Sequence, residues 1–187
     1  GAAPPLLAAQ SWSPDNKTLL VQAWHPARIK GRTHPIYTPQ FSERVSLRFY
    51  ELGEDGLREA GALENDLFSA PANSSVIAEF ISPDELILRG AAGTDRHPYY
   101  YNRVSGELRN LADRAGGYYN VFSTNHSREI VFTYTSFTEP PDVYRMGWDG
   151  RGLTRLTWFG EELRQFANLR QDPVRFTLPN GQTRVGV

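Results

Sequence analysis

The chain has 187 residues, of which 40% are hydrophobic and 22% charged, with a formal net charge of −1. That length favours one domain with a real core, and the balance of charge lacks the basic face that a nucleic-acid partner calls for. The absence of cysteine excludes disulfides and thiolate chemistry. No run approaches the roughly 20 apolar residues of a membrane span, so no membrane partner is expected and the chain reads as soluble, with cytoplasm and bacterial periplasm both left open. Aromatics at 12%, with 16 Gly and 13 Pro, suit a turn-rich β protein.

The opening Gly1 to Ala9 has no basic start and is too short for a secretory signal. The β pattern begins almost at once, so the natural N-terminus is expected upstream. Three segments then align: Gln10 to Val21 around Ser13-Pro14-Asp15, Ala78 to Leu88 around Ser82-Pro83-Asp84, and Val121 to Phe132 around Ser123-Thr124-Asn125. Each is a short strand, a polar turn and a second apolar strand. Pro presets φ for the turn and Asp or Asn bonds its own backbone, so the chemistry is that of a hairpin.

A loop and a second hairpin follow each copy: Val45 to Leu52 with Glu54-Asp55-Gly56, Tyr99 to Asn102 with Val104 to Glu107, and Asp142 to Met146 with Asp149-Gly150. Four strands of about 5–6 residues with tight connections fill roughly 40 residues, the size of one propeller blade. Ser82 and Ser123 stand 41 positions apart, whereas Ser13 and Ser82 stand 69 apart, so the first unit carries an insertion, His25 to Arg44. A β-sandwich with coincidental turns is the competing architecture. The expectation is an all-β fold: a partial β-propeller of about three four-stranded antiparallel blades, over residues 10–68, 76–113 and 118–158.

Residues 159–172 read as a connector with a short helical turn. In residues 173–187, Asn180-Gly181 between two alternating runs signals a hairpin. Alternation places the middle connections of the blades, His25 to Arg44, Gly90 to Pro98 and Thr135 to Pro141, at a common end. They are expected to be long and irregular, which is where binding usually sits on a rigid scaffold. Their basic and imidazole side chains, Arg28, Arg32, Arg44, Arg96 and His97, are the candidate substrate-binding residues; Arg28, Lys30, Arg32 and Arg44 read either as a solvated basic loop or as contacts to a substrate carboxylate or a neighbouring domain. Tyr99-Tyr100-Tyr101 reads as sheet packing, with Tyr100 opposite its neighbours. His25, His34, His97 and His126 show no metal-ligand spacing, and no phosphate loop or calcium loop is present, so neither metal nor cofactor is expected.

The succession Val131 to Ser136, Glu139-Pro140-Pro141-Asp142-Val143-Tyr144, Asp149-Gly150 and Leu153 to Thr157 resembles the last propeller blade of prolyl-oligopeptidase-type serine peptidases. The stretch Pro173 to Val187 is similar to the strand pair that opens their α/β-hydrolase domain. The acylaminoacyl-peptidase and dipeptidyl-peptidase-like branches are nearest in pattern, and lasso-peptide isopeptidases are compatible. The resemblance implies a propeller that gates access to, and positions, a peptide substrate for a Ser-His-Asp triad. No serine here stands in a Gly-x-Ser-x-Gly frame. The triad is therefore expected on a hydrolase domain or second chain outside these residues, with no catalytic residue in this chain and no activity of the chain alone. Glu161-Glu162 falls in the connector, not where dipeptidyl peptidases of this kind hold a substrate amino group, and reads as a helix start. Three blades are fewer than a closed propeller needs, so uncovered faces are expected to make the isolated chain unstable or dependent on a partner. A non-enzymatic, TolB-like interaction module is the alternative.

Overall fold

The computed structural model describes residues 5–26, 28–29, 32–33, 42–65, 76–92, 95–124, 127–166, 172, 174–179, 181 and 183–186. His34 and His126, two of the histidines considered above, lie outside them, as do Asn125 and Asn180 of the expected turns. The chain divides into two compact units: Gly1–Gly90 with Tyr99–Arg109, and Ala91–Pro98 with Asn110–Val187.

In the first unit, β1 (Leu6–Trp12), β2 (Thr18–Pro26), β5 (Ser42–Gly53) and β6 (Gly56–Glu64) form an antiparallel sheet in the order β1-β2-β5-β6. The small hairpin β3 (Arg28–Ile29) and β4 (Arg32–Thr33) interrupts the β2–β5 connection. The expected irregular insertion is thus shorter, because β2 runs on to Pro26, β5 starts at Ser42, and the two remain paired from Thr18↔Glu51 to Pro26↔Ser42. A second set follows, β7 (Ile77–Phe80), β8 (Glu85–Ala92), β9 (Asp95–Asn102) and β10 (Leu108–Asn110), paired in chain order. In the second unit, β11 (Gly117–Thr124), β12 (Glu129–Thr135), β13 (Asp142–Gly147) and β14 (Thr154–Arg155) repeat the antiparallel order. Strand β11 also meets β9 through one parallel bridge, Gly117↔Arg96, so by hydrogen bonding the second and third four-stranded runs are continuous as one eight-stranded sheet. A 3-10 helix, Glu161–Phe166, and an antiparallel hairpin, β15 (Val174–Thr177) with β16 (Thr183–Gly186), complete the chain.

The turns form as their chemistry dictates. Ser13, buried, accepts the N–H of Thr18 (2.9 Å) and donates to Asp15 (2.6 Å), while Asn16 takes a left-handed φ of 58°. Ser82 does the same work in the second copy, accepting from the N–H of Glu85 (3.1 Å) and donating to its carboxylate (3.0 Å). A short side-chain acceptor replaces one ladder bond at the bend, which is why Ser recurs at this position.

Packing in the first unit is sheet against sheet. Leu20, Val45, Leu47, Phe49 and Leu63 from the first sheet meet Val76, Ala78, Phe80, Leu86, Leu88, Tyr99 and Tyr101. Alternate residues on each strand supply this face, as a period of two requires. Phe49 is the hinge of the cluster, edge-on to Phe80 at 6.4 Å and stacked on Tyr101 at 6.1 Å. Tyr100 points the other way, as its place in the triplet predicts, and donates to Glu85 at 2.5 Å under the Arg109 guanidinium. Replacing Phe49 by Ala is expected to cost about 3–5 kcal/mol. Leu57→Ala, on the exposed face of β6, should stay within about 0.5 kcal/mol, both read from urea unfolding midpoints.

Candidate functional site

The five residues expected to contact substrate divide between the units. Arg28 pairs with Thr33, and Arg32 with Ile29, in the β3–β4 hairpin, and Arg44 lies opposite His25 across β2–β5. For these three arginines only the backbone is described. Arg96 and His97 sit in the first half of β9. The Gly90 to Pro98 connection is not the long loop expected. Strand β8 continues through Ala92 and β9 begins at Asp95, so Arg96 and His97 are strand residues with constrained orientation. Pro98 is tolerated in the strand, where its carbonyl still accepts the N–H of Leu111 (2.9 Å).

In the second unit the Leu111–Gly116 turn connects the Asp95–Pro98 strand segment to the Ser136–Pro141 connection. On one side Asp95 accepts the N–H of Gly116 (2.9 Å), and Gly117 makes a parallel bridge to Arg96. On the other, Arg114 pairs with Glu139 (3.1 Å) and lies over the rings of Tyr134 (4.0 Å) and Tyr144 (5.3 Å). Glu139 is itself placed by the 136–139 bend, where Ser136 accepts its N–H (3.1 Å). Gly116 takes a φ of 132°, and a Cβ there would stand 2.8 Å from the carbonyl of Thr135 and 2.9 Å from the Tyr134 ring. Only glycine lets the turn approach β12 this closely.

His97 faces this turn. Its Nδ1 lies 3.0 Å from the amide nitrogen of Asn110, its Nε2 lies 3.9 Å from Asp95, and its ring meets Tyr118 edge-on at 5.6 Å. Burial holds its basicity below the ordinary histidine value, with Asp95 opposing. Tyr118 donates to Asp113 (2.6 Å), and burial together with that carboxylate raises its hydroxyl well above the usual tyrosine range. His25 bonds a serine, Ser46, at 2.9 Å. That serine is fully buried inside the first sheet.

A second polar centre closes the last four-stranded set. Asp142 is 2% exposed and accepts from Thr157 Oγ1 (2.8 Å), from the N–H of Phe159 (2.8 Å) and from the Arg155 guanidinium. Gly160 packs beneath it, where a Cβ would meet Pro140 at 2.5 Å. The side chains that follow are held outward: Trp158 is 61%, Phe159 81% and Leu163 53% exposed. Glu161 pairs with Arg155 (3.4 Å) at the head of the 3-10 helix, the helix-start role expected for Glu161-Glu162. The sequence singled out Arg96 and His97 of this cluster, but not Asn110, Asp113, Arg114 or Glu139, nor Asp142 of the second centre. The Gly116-Gly117 pair was the available signal for the Leu111–Gly116 turn, which holds Asp113 and Arg114. Among the described residues no group of three or more His, Asp or Glu converges as a metal site, and no helix is long and apolar enough to cross a membrane.

Asp142 carries a pH signature. Burial alone would raise its pKa, but the Thr157 hydroxyl and the Arg155 guanidinium outweigh that and hold it below 3.8. A depressed folded value contributes stability that is complete above the unfolded pKa and disappears as pH falls through the folded one. Unfolding midpoints of the native chain should therefore fall as pH drops below about 4. In Asp142→Asn the midpoint should be lower at neutral pH, and the acid limb shallower, in urea titrations across pH 2–7.

No protein-family model and no curated protein matches the chain. Solved structures do. It is similar to prolyl oligopeptidase B from Galerina marginata bound to a 35mer hydrolysis and macrocyclization substrate, with a TM-score of 0.50 and 17% identity over 82% of this chain and 19% of that one. Puromycin hydrolase gives a TM-score of 0.47 at 14% identity, covering 98% and 33% of the two chains. Dipeptidyl peptidase 4 from Porphyromonas gingivalis gives 0.39 at 12%, covering 96% and 43%. The chain thus spans about a fifth of the length of the prolyl oligopeptidase it matches, in a propeller-like region. The all-β, blade-like arrangement read from the sequence, and its resemblance to prolyl-oligopeptidase-type peptidases, are present at the level of the fold.

Proposed function

We propose that this chain is the non-catalytic propeller segment of a serine peptidase, one that gates access to and positions a peptide for a Ser-His-Asp triad carried outside these 187 residues. The observation that carries the reading is the order of elements: three four-stranded sets, a 3-10 connector, then the isolated β15–β16 hairpin. A free-standing propeller has no use for the last two. The fold likeness to prolyl oligopeptidase B supports the same assignment. In this reading residues 1–158 are blades, 159–172 the connector and 173–187 the first strands of the hydrolase domain. Arg28, Arg32, Arg44, Arg96 and His97 lie in or beside the middle connections and would meet the peptide, including an isopeptide-linked one.

The connector would be the seat of the hydrolase domain. Trp158, Phe159 and Leu163 are exposed aromatic and aliphatic side chains on a segment fixed by a buried carboxylate, the combination expected of docking anchors. Water exclusion and positioning would be the contributions of the propeller, while acyl transfer belongs to the triad.

The test is a native mass of the purified material with a denaturing intact mass of every polypeptide in it. A longer or second polypeptide bearing Gly-x-Ser-x-Gly, with peptidase activity confined to that assembly, is the expected result. A lone 21.1 kDa species, compact and unreactive toward serine-directed probes, would instead assign the chain to interaction modules. Within the assembly, Phe159→Ser should weaken association with the triad-bearing part about tenfold or more, as loss of a central aromatic anchor does, measured by dissociation of the assembled complex on dilution.

A further inference from the structure

We propose that His97 and Asn110 form an acid-labile latch, whose opening on protonation of His97 frees the Asp95–Pro98 segment from the Leu111–Gly116 turn. The inference rests on the peptidase reading only for its consequence, control of a middle-connection end by pH. The latch itself belongs to the chain as it stands.

Asn110 Oδ1 accepts the N–H of Ala112 at 2.9 Å, so its amide nitrogen is the atom turned toward His97, 3.0 Å from Nδ1. An amide nitrogen only donates, so Nδ1 must carry a lone pair, and the proton of the neutral ring is on Nε2. That Nε2 is buried, without a hydrogen-bond partner among the described residues. Asp95 is the nearest carboxylate at 3.9 Å and is already engaged by the N–H of Gly116. The resting ring therefore contributes one good bond, and that bond requires it to be neutral.

A second proton arrives on Nδ1 and sets donor against donor across 3.0 Å. The Asn110 amide can turn its oxygen to the imidazolium, but it then gives up the N–H of Ala112. Alternatively the ring swings toward Asp95, whose carboxylate can accept it beside the N–H of Gly116, and gives up Asn110. Each route breaks a bond that His97 or Asn110 makes in the resting arrangement. The surroundings do not buffer this. From its own strand Asp95 and Arg96 are the charged neighbours. From the turn come Asp113, taken by the Tyr118 hydroxyl, and Arg114, paired with Glu139; from β11 comes Tyr118, edge-on to the ring. Of these, Asp95 alone is a carboxylate placed to receive the new charge.

The sign follows from burial, which holds the folded pKa of His97 below its ordinary value of 6.5. The folded chain then binds fewer protons than the unfolded one near that pH. The contribution of the latch is complete above the unfolded value, at about pH 7, and is lost as pH falls through the lower folded one.

The experiment is amide hydrogen exchange of the purified chain, in whatever assembly it occupies, at pH 7.5 and 5.0 after correction for intrinsic exchange. Protection in 95–97 and 110–117 should fall about tenfold at the lower pH, while that of 45–49 in the first sheet stays constant. His97→Phe keeps a ring against Tyr118 and should abolish the pH dependence. Asn110→Asp keeps the acceptor for Ala112 but offers His97⁺ a partner. It should raise the His97 pKa by about 1–2 units, read from ring resonances, and reverse the trend in protection. Equal protection at both pH values, or the same loss in His97→Phe, overturns the proposal. Failure to find a triad-bearing partner leaves the latch intact and removes only its assignment to substrate access.

Discussion

The structure depends on one constraint: an antiparallel ladder satisfies its backbone within the sheet and leaves two faces of side chains to be covered. In the first unit each of two sheets covers one face of the other, through Leu20, Leu47 and Phe49 on one side and Phe80, Leu88 and Tyr101 on the other. The hydrophobic gain is the main driving term, and it accounts for the strict alternation of the strands. On β5, Val45, Leu47 and Phe49 point inward, whereas Arg48 and Tyr50 point away and meet Glu59 instead. A one-residue slip would exchange these sets and bury two polar side chains among aromatic ones.

The second unit solves the same problem with rings. Tyr118, Phe132, Tyr134 and Tyr144 meet at centroid separations of 5.0 to 6.1 Å. Tyrosine rather than phenylalanine at two of these positions has a structural consequence. The hydroxyl of Tyr118 reaches Asp113 and that of Tyr134 reaches the carbonyl of Ala115 (2.6 Å), so the buried rings hold the turn by their polar tips. The Arg114 guanidinium caps the stack and pairs with Glu139. Packing and polar satisfaction are thus one system here. The position of the turn that His97 faces is set by the core beneath it.

What was legible in the sequence is local. The Ser-Pro-Asp turns, the alternation of Tyr99-Tyr100-Tyr101, the Asp-Gly corners and the final hairpin each follow from the residues at the bend or on the face. The four-strand rhythm follows from them, but the β3–β4 hairpin does not. The His25 to Arg44 and Gly90 to Pro98 stretches were harder, because Pro, His and Arg read as loop formers. Pairing with a neighbouring strand overrides such preferences when the partner supplies the ladder. The polar centres were not legible, because their members are far apart in sequence: Arg114 with Glu139, His97 with Asn110, Asp142 with Arg155 and Thr157. Nothing in a charged residue's immediate neighbours says which distant charge it will meet.

Asp142 shows why such a residue is specified by chemistry and not merely by size. Three donors converge on its carboxylate, from Arg155, Thr157 and Phe159. Thr157 in turn accepts the N–H of Val143 through the same hydroxyl (2.9 Å), so its proton must go to Asp142. An asparagine would present one acceptor oxygen and a nitrogen that cannot accept, leaving at least one donor facing another. A buried charge is costly unless its lone pairs are filled, and here every donor comes from within 17 residues downstream. The carboxylate therefore binds the start of β13 to the end of its own four-stranded set and to the first residues of the connector. One buried group closes the sheet and fixes the direction in which the chain departs.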